Sequence, residues 1–246
     1  MSLKNSYTTS DYLQWDTATT LVRKLYRDKN YRFSLLIGCG IFFGLRISDL
    51  LRLNWNMLLN KEVKFVLIEK KTGKRREVKI NREFQKHIRD CYQALAIKDM
   101  EELCFISGRN KAYSIQWINI ILKELKYRDN LKVNHFSTHS LRKTFGRKVF
   151  ESSDNAELAL VKLMELFNHS SVSITKRYLG LRRDEILETY DVLSFWLWRM
   201  TFFWKKLFLG GKSDFVTRFS PIFKMLLFFG TIKINPFILR TFTPFH

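Results

Sequence analysis

Four short segments hold residues whose types could do chemistry together. The first, GLRISDLLRL from Gly44 to Leu53, sets Arg46 among apolar neighbours. A guanidinium there is costly unless paired, and Asp49, one turn on, is the nearest partner in sequence. The second is Lys70-Lys71-Thr72-Gly73-Lys74, followed by Arg75 and Arg76. The third, THSLR, places His139 and Arg142 three residues apart, on one face of a helix. The fourth, FNHSSVSITKRY, carries His169, Lys176, Arg177 and Tyr178. Arginine forks hold oxyanions, imidazoles exchange protons near neutrality, and an activated phenol is a nucleophile. Taken singly, each segment also has an ordinary reading: a structural ion pair, a solvated hairpin tip, a polar helix surface.

Composition narrows the partner. The 246 residues include 43 Lys and Arg against 23 Asp and Glu, a net charge of +20. That excess disfavours an ordinary neutral metabolic enzyme and favours a polyanion, either nucleic acid or an anionic membrane surface. Cys39, Cys91 and Cys104 lie far apart with no CxxC, so neither a disulfide framework nor a zinc site is expected. No glycine-rich phosphate loop, HExxH or GxSxG occurs. The first residues lack an apolar stretch, so no signal peptide is expected, and a reducing cytoplasm is the expected location.

The elements that must position these groups are mostly helical. Hydrophobic spacing predicts helices over Thr17–Asn30 (with Asp16 as N-cap), Tyr31–Phe43, Ile47–Leu53, Glu83–Ile97, Ser114–Lys126, Ser140–Glu151, Asn155–Phe167, Ser173–Leu179 and Asp184–Leu193. Gly73, between the runs Val63–Ile68 and Arg76–Ile80, predicts a β-hairpin. The expected class is mainly α with a small antiparallel β-sheet (α+β).

Together and in this order, the four segments resemble the tyrosine recombinase (phage integrase) family. GLRISDLLRL resembles its first arginine box, HSLR its HxxR box, and NHSS followed by RYLG its last box. Lys71 corresponds to its hairpin lysine, since Val78 and Ile80 then fall where the family's third strand ends. The resemblance covers residues 12–193 and implies an integrase-type DNA breaking-rejoining catalytic domain. It also implies cleavage by Tyr178, giving a 3′-phosphotyrosyl link and a free 5′-hydroxyl. Arg46 and Arg142 would hold the non-bridging oxygens, joined by His169. His139 would serve as base, and Lys71 would protonate the leaving oxygen. Planar forks suit that task better than ammonium groups. No cofactor is expected. Phosphate contacts are expected from Lys70, Lys74, Arg75, Arg76, Lys143, Arg147, Lys148, Lys176 and Arg177.

The chain departs from the family pattern in three ways. The first arginine box begins at residue 44, so the N-terminal core-binding domain is expected to be missing. Asn168 stands where the family commonly has glycine. Residues 194–246 resemble nothing in the family; they hold all three prolines, 15 of the 37 aromatics and a single acid, Asp214. The organisation expected is a lead over 1–11, a catalytic domain over 12–193, and a basic aromatic tail that packs on the domain, is poorly ordered or is aberrant. Arg199, Lys205 and Lys206 interrupt its apolar run, which argues against a membrane span, although an interfacial contact stays open. The function expected is site-specific recombination of double-stranded DNA by a homotetramer, with a separate clamp or accessory protein as a further partner. The alternatives are a non-catalytic or degenerate DNA-binding remnant, a topoisomerase-like relaxing activity and a membrane-associated basic protein.

Overall fold

The computed structural model describes residues 10–108 and 111–181, with Leu187 and Tyr190. The tail over 194–246 lies outside the described residues, as does nearly all of the helix expected over Asp184–Leu193.

Helix α1 (Trp15–Arg27) turns Ala18, Leu21, Val22 and Leu25 inward. It starts earlier than expected: Gln14 is the N-cap and Asp16 sits in the first turn, where its charge suits the helix dipole. Helix α2 (Tyr31–Phe43) is buried on nearly every face and packs against α1, α5 and α7. It stops at Gly44, whose φ is +57° and where a Cβ would lie 2.3 Å from the Phe145 ring. Glycine is therefore required both by the left-handed turn and by the close approach.

Helix α3 (Ile47–Leu50) is shorter than expected, and α4 (Trp55–Leu58) follows, capped by the Asn54 side chain. Strands β1 (Lys64–Ile68) and β2 (Arg75–Lys79) pair antiparallel, Lys64 opposite Lys79 and Ile68 opposite Arg75. Helices α5 (Arg82–Ala94) and α6 (Ile115–Arg128) are capped by Asn81 and Ser114. Helix α7 (Thr138–Glu151) opens on a capping box of Ser137 and Ser140. Helices α8 (Ala156–Phe167) and α9 (Val172–Leu179) pack on one another and on α7.

Two apolar clusters result. The larger runs from α1 through α7; the smaller, built on Leu160, Leu163, Phe167, Leu179 and Leu181, seats α8 and α9 against Phe145 and Val149. Among the described residues no helix is long and apolar enough to cross a membrane. The segment before α1 is strapped to α7: Leu13 and Thr144 exchange hydrogen bonds of 2.9 and 3.2 Å, and Lys143 Nζ donates to the Ser10 carbonyl at 2.7 Å.

Candidate active site

Arg46 precedes α3 and Arg142 lies in α7, yet both donate to one acceptor. Arg46 Nη2 reaches the Phe167 carbonyl at 3.0 Å and Arg142 Nη2 reaches it at 3.2 Å. Arg142 is 4% exposed; its Nη1 donates to the Gly44 carbonyl at 2.9 Å and its guanidinium stacks 4.4 Å over the Phe167 ring. Burial lowers its pKa to about 10, with Arg46 and Arg76 adding to the push and Tyr178 opposing it. The group is thus still a cation at neutral pH.

The partner of Arg46 is not Asp49. Arg46 Nη1 donates to Glu69 Oε2 at 2.7 Å, whereas Asp49 accepts the Lys70 backbone N–H at 2.8 Å. Glu69 has no side-chain exposure and also accepts from Arg76, Thr72 and Asn168. Burial alone would raise its pKa; Thr72, Arg46 and Arg76 reverse that and hold it at about 2. Asn168 caps α8 in the left-handed region, at φ +53°. Asparagine tolerates that conformation, and its side chain donates to Glu69, a bond glycine could not make.

His169 follows Asn168 directly, and its Nδ1 lies 3.1 Å from Thr175 Oγ1. That hydroxyl also lies 3.3 Å from the Ser171 carbonyl; when its one proton goes to Nδ1 instead of that carbonyl, the neutral ring presents Nε2–H as a donor. Burial, then Arg142 and Arg46, lower the His169 pKa. Ser171 caps α9, so one short segment supplies the imidazole and starts the helix that carries Tyr178.

The Tyr178 hydroxyl is buried without a hydrogen-bond partner, and its ring meets Phe167 and His169 edge-on at 5.5 and 5.2 Å. Burial pushes its pKa up to about 12, while Arg142 and Arg46 pull the other way. The resting phenol is therefore neutral, and its proton must leave as it attacks. His139, in the first turn of α7, is exposed. Contact with the protein body, then the charges of Arg142, Lys143, Lys71 and Arg46, lower its pKa, which keeps it a neutral proton acceptor at pH 7. Lys71 is exposed in the turn between β1 and β2.

Arg46, Arg142, His169 and Tyr178 thus gather around Phe167, the charges of Arg142, Lys143, Lys71 and Arg46 reach His139, and the nearby carboxylate Glu69 is already saturated with donors. Such a site receives an anion and can deliver an oxygen nucleophile to it.

Three expected phosphate contacts are otherwise engaged. Arg76, 9% exposed, binds Glu69, the Leu166 carbonyl and the Phe43 carbonyl. Lys143 is buried, bonded to Ser10, with Nζ 5.3 Å above the Tyr178 ring. Arg147 stacks 4.4 Å over Tyr12 and pairs with Glu151. Lys143 is buried and Arg76 and Arg147 are half-buried, and all three hold partners within the protein. Lys70, Lys74, Arg75, Lys148 and Arg177 are exposed, and Lys176 is half-buried. Sequence reasoning missed Glu69, although the alternation Phe65, Leu67, Glu69 continues the buried side of β1 one residue past its end.

The model of the phage integrase family matches residues 16–185, and the chain belongs to that family. Its class is that of the tyrosine-type site-specific DNA recombinases. It is 33% identical over 176 residues to the probable integrase/recombinase YoeC of Bacillus subtilis (strain 168), covering 70% of this chain and 91% of that one. It is 26% identical over 187 residues to the tyrosine recombinase XerC of Caldanaerobacter subterraneus subsp. tengcongensis, covering 73% of this chain but only half of that relative. In fold it is similar to the XerA recombinase, with a TM-score of 0.57 and 22% identity over 73% of this chain and 64% of that one. It is also similar to a lambda integrase dimer bound to a core site, with a TM-score of 0.53 and 16% identity over 71% and 49%.

Proposed function

We propose that this chain cuts and rejoins double-stranded DNA at specific sites by transesterification through Tyr178. The observation that carries the reading is the convergence of Arg46 and Arg142 on one carbonyl, with the buried Tyr178 hydroxyl in their field. The Tyr178 oxygen forms a bond to phosphorus as the bond to the 5′-oxygen breaks. His139 takes the phenolic proton. Arg46, Arg142 and His169 hold the charge that grows on the non-bridging oxygens. Lys71 hands a proton to the leaving 5′-oxygen. The phosphotyrosyl ester conserves the bond energy for rejoining, so the cycle draws on no nucleotide.

Residues 12–193 carry this chemistry. Exchange between two duplexes needs four such sites, hence a homotetramer on DNA, with a clamp or accessory protein as a further partner. The exposed cations of the hairpin and of α9 contact phosphates and set register. The three free, buried cysteines fit a reducing compartment, and the cytoplasm is the proposed location.

The test is a library of nicked duplexes with a randomised core. Wild-type protein is expected to trap covalent adducts that survive denaturation, while Tyr178→Phe traps none. Salt-sensitive binding without any adduct would instead favour a DNA-binding remnant.

A further inference from the structure

The turn that carries Lys71 is closed from inside by a carboxylate. The Glu69 N–H donates to the Lys74 carbonyl at 3.0 Å, and the Glu69 carbonyl accepts from Gly73 N–H at 2.9 Å. Inside that loop, Glu69 Oε2 accepts from Thr72 Oγ1 at 2.8 Å, Arg46 Nη1 at 2.7 Å and Asn168 Nδ2 at 2.9 Å. One fully buried oxygen therefore ties the residue after Lys71, the first arginine and the residue before His169. Lys71 itself is exposed on a flexible stem, so the turn decides where its ammonium starts.

We propose that Glu69 and Thr72 are positioning residues for Lys71: they lock the hairpin turn to Arg46, so that proton donor and arginine fork meet the same phosphate as a unit. This rests on the recombinase reading above. In that reaction the electron pair of the breaking P–O bond stays on the 5′-oxygen. That oxygen takes a proton from Lys71, which becomes a neutral amine. Glu69 and Thr72 touch neither substrate nor reacting atoms. Their effect is on placement, where an error near 1 Å costs about 10²-fold.

A substrate with sulfur in place of the bridging 5′-oxygen separates the roles. A thiol with a pKa of about 8.5 departs as thiolate without a donated proton. The experiment measures single-turnover adduct formation by the full chain on a duplex recovered from the randomised library, in oxygen and sulfur forms. Thr72→Val keeps the side-chain shape and removes the hydroxyl. It is expected to be at least about tenfold slower than wild type on oxygen and within about threefold on sulfur, because only the acid step is displaced. Thr72→Ser is expected to restore the oxygen rate, and Lys71→Ala to show the Thr72→Val pattern more strongly. Equal slowing of Thr72→Val on both substrates, or no slowing on either, would overturn the positioning role. A wild-type chain that forms no adduct with either substrate would overturn the recombinase reading itself, and the positioning role with it.

Discussion

Arg46 and Arg142 share the Phe167 carbonyl, and each also donates to a second oxygen, Glu69 Oε2 or the Gly44 carbonyl; their fork shape is what lets each serve two acceptors. Lysine keeps the charge but loses that geometry. Arg142→Lys and Arg46→Lys are each expected to slow adduct formation by about 10²–10³-fold, read in single-turnover assays at saturating DNA. His139 gives a second expectation. Its folded pKa is lowered, so the ring stays a base down to pH values below its ordinary 6.5 and loses that role only as pH falls through the lowered value. The cleavage rate is expected to hold steady from about pH 8 through 6.5 and to fall only as pH drops further, toward the lowered value. Glu69 titrates in the other sense. Its folded value of about 2 lies under the ordinary 4.5, so its stabilisation is complete above pH 4.5 and is lost as pH falls toward 2. That is worth about 3 kcal/mol. Denaturation midpoints are expected to drop over that window in wild type, and less steeply in Glu69→Gln.

At the level of elements, the site depends on how closely α9 sits on α7. Gly146 is the contact point: a Cβ there would lie 2.5 Å from Leu179 Cδ2 and 3.0 Å from the Phe167 ring. Neither neighbour has room to give. Leu179 is 1% exposed, and Phe167 is pinned under Arg142. Gly146→Ala is expected to cost about 1–3 kcal/mol, seen as a lowered Tm. Because α9 carries Tyr178, adduct formation is expected to fall further than the stability loss alone would explain. The sequence announces these helices through their caps: Ser114, Ser171 and Asn155 each accept a backbone N–H at a helix start. It announces α4 poorly, because four residues carry too little periodicity to read.

Across the whole molecule, a net charge of +20 sets the terms of encounter with DNA. Affinity is expected to fall steeply with salt, with a log–log slope of about −0.9 per phosphate contact. Neighbouring arginines should respond differently. Arg75 is exposed, so Arg75→Ala is expected to reduce that slope by about one and leave Tm unchanged. The Arg76 side chain, only 9% exposed, is bonded to Glu69 and two carbonyls, so Arg76→Ala is expected to cost about 3–5 kcal/mol of stability. Salt titration by fluorescence anisotropy and a thermal melt distinguish the two.

Local patterning in the chain was enough to mark most helices, the hairpin at Gly73, the α+β class and the ordered set of arginine, lysine, histidine and tyrosine groups. Spacing and side-chain chemistry are local properties, and they survive in a string of letters. Only the tertiary structure decided which cations face solvent and which are spent inside, since Lys143 and Lys148 on one helix, or the adjacent Arg75 and Arg76, are the same chemistry. It also replaced Asp49 with Glu69 as the partner of Arg46, across 23 positions of sequence. Burial and partnership of that kind come from packing between distant segments, where desolvation forces each charge to find whichever counter-charge the fold brings within reach.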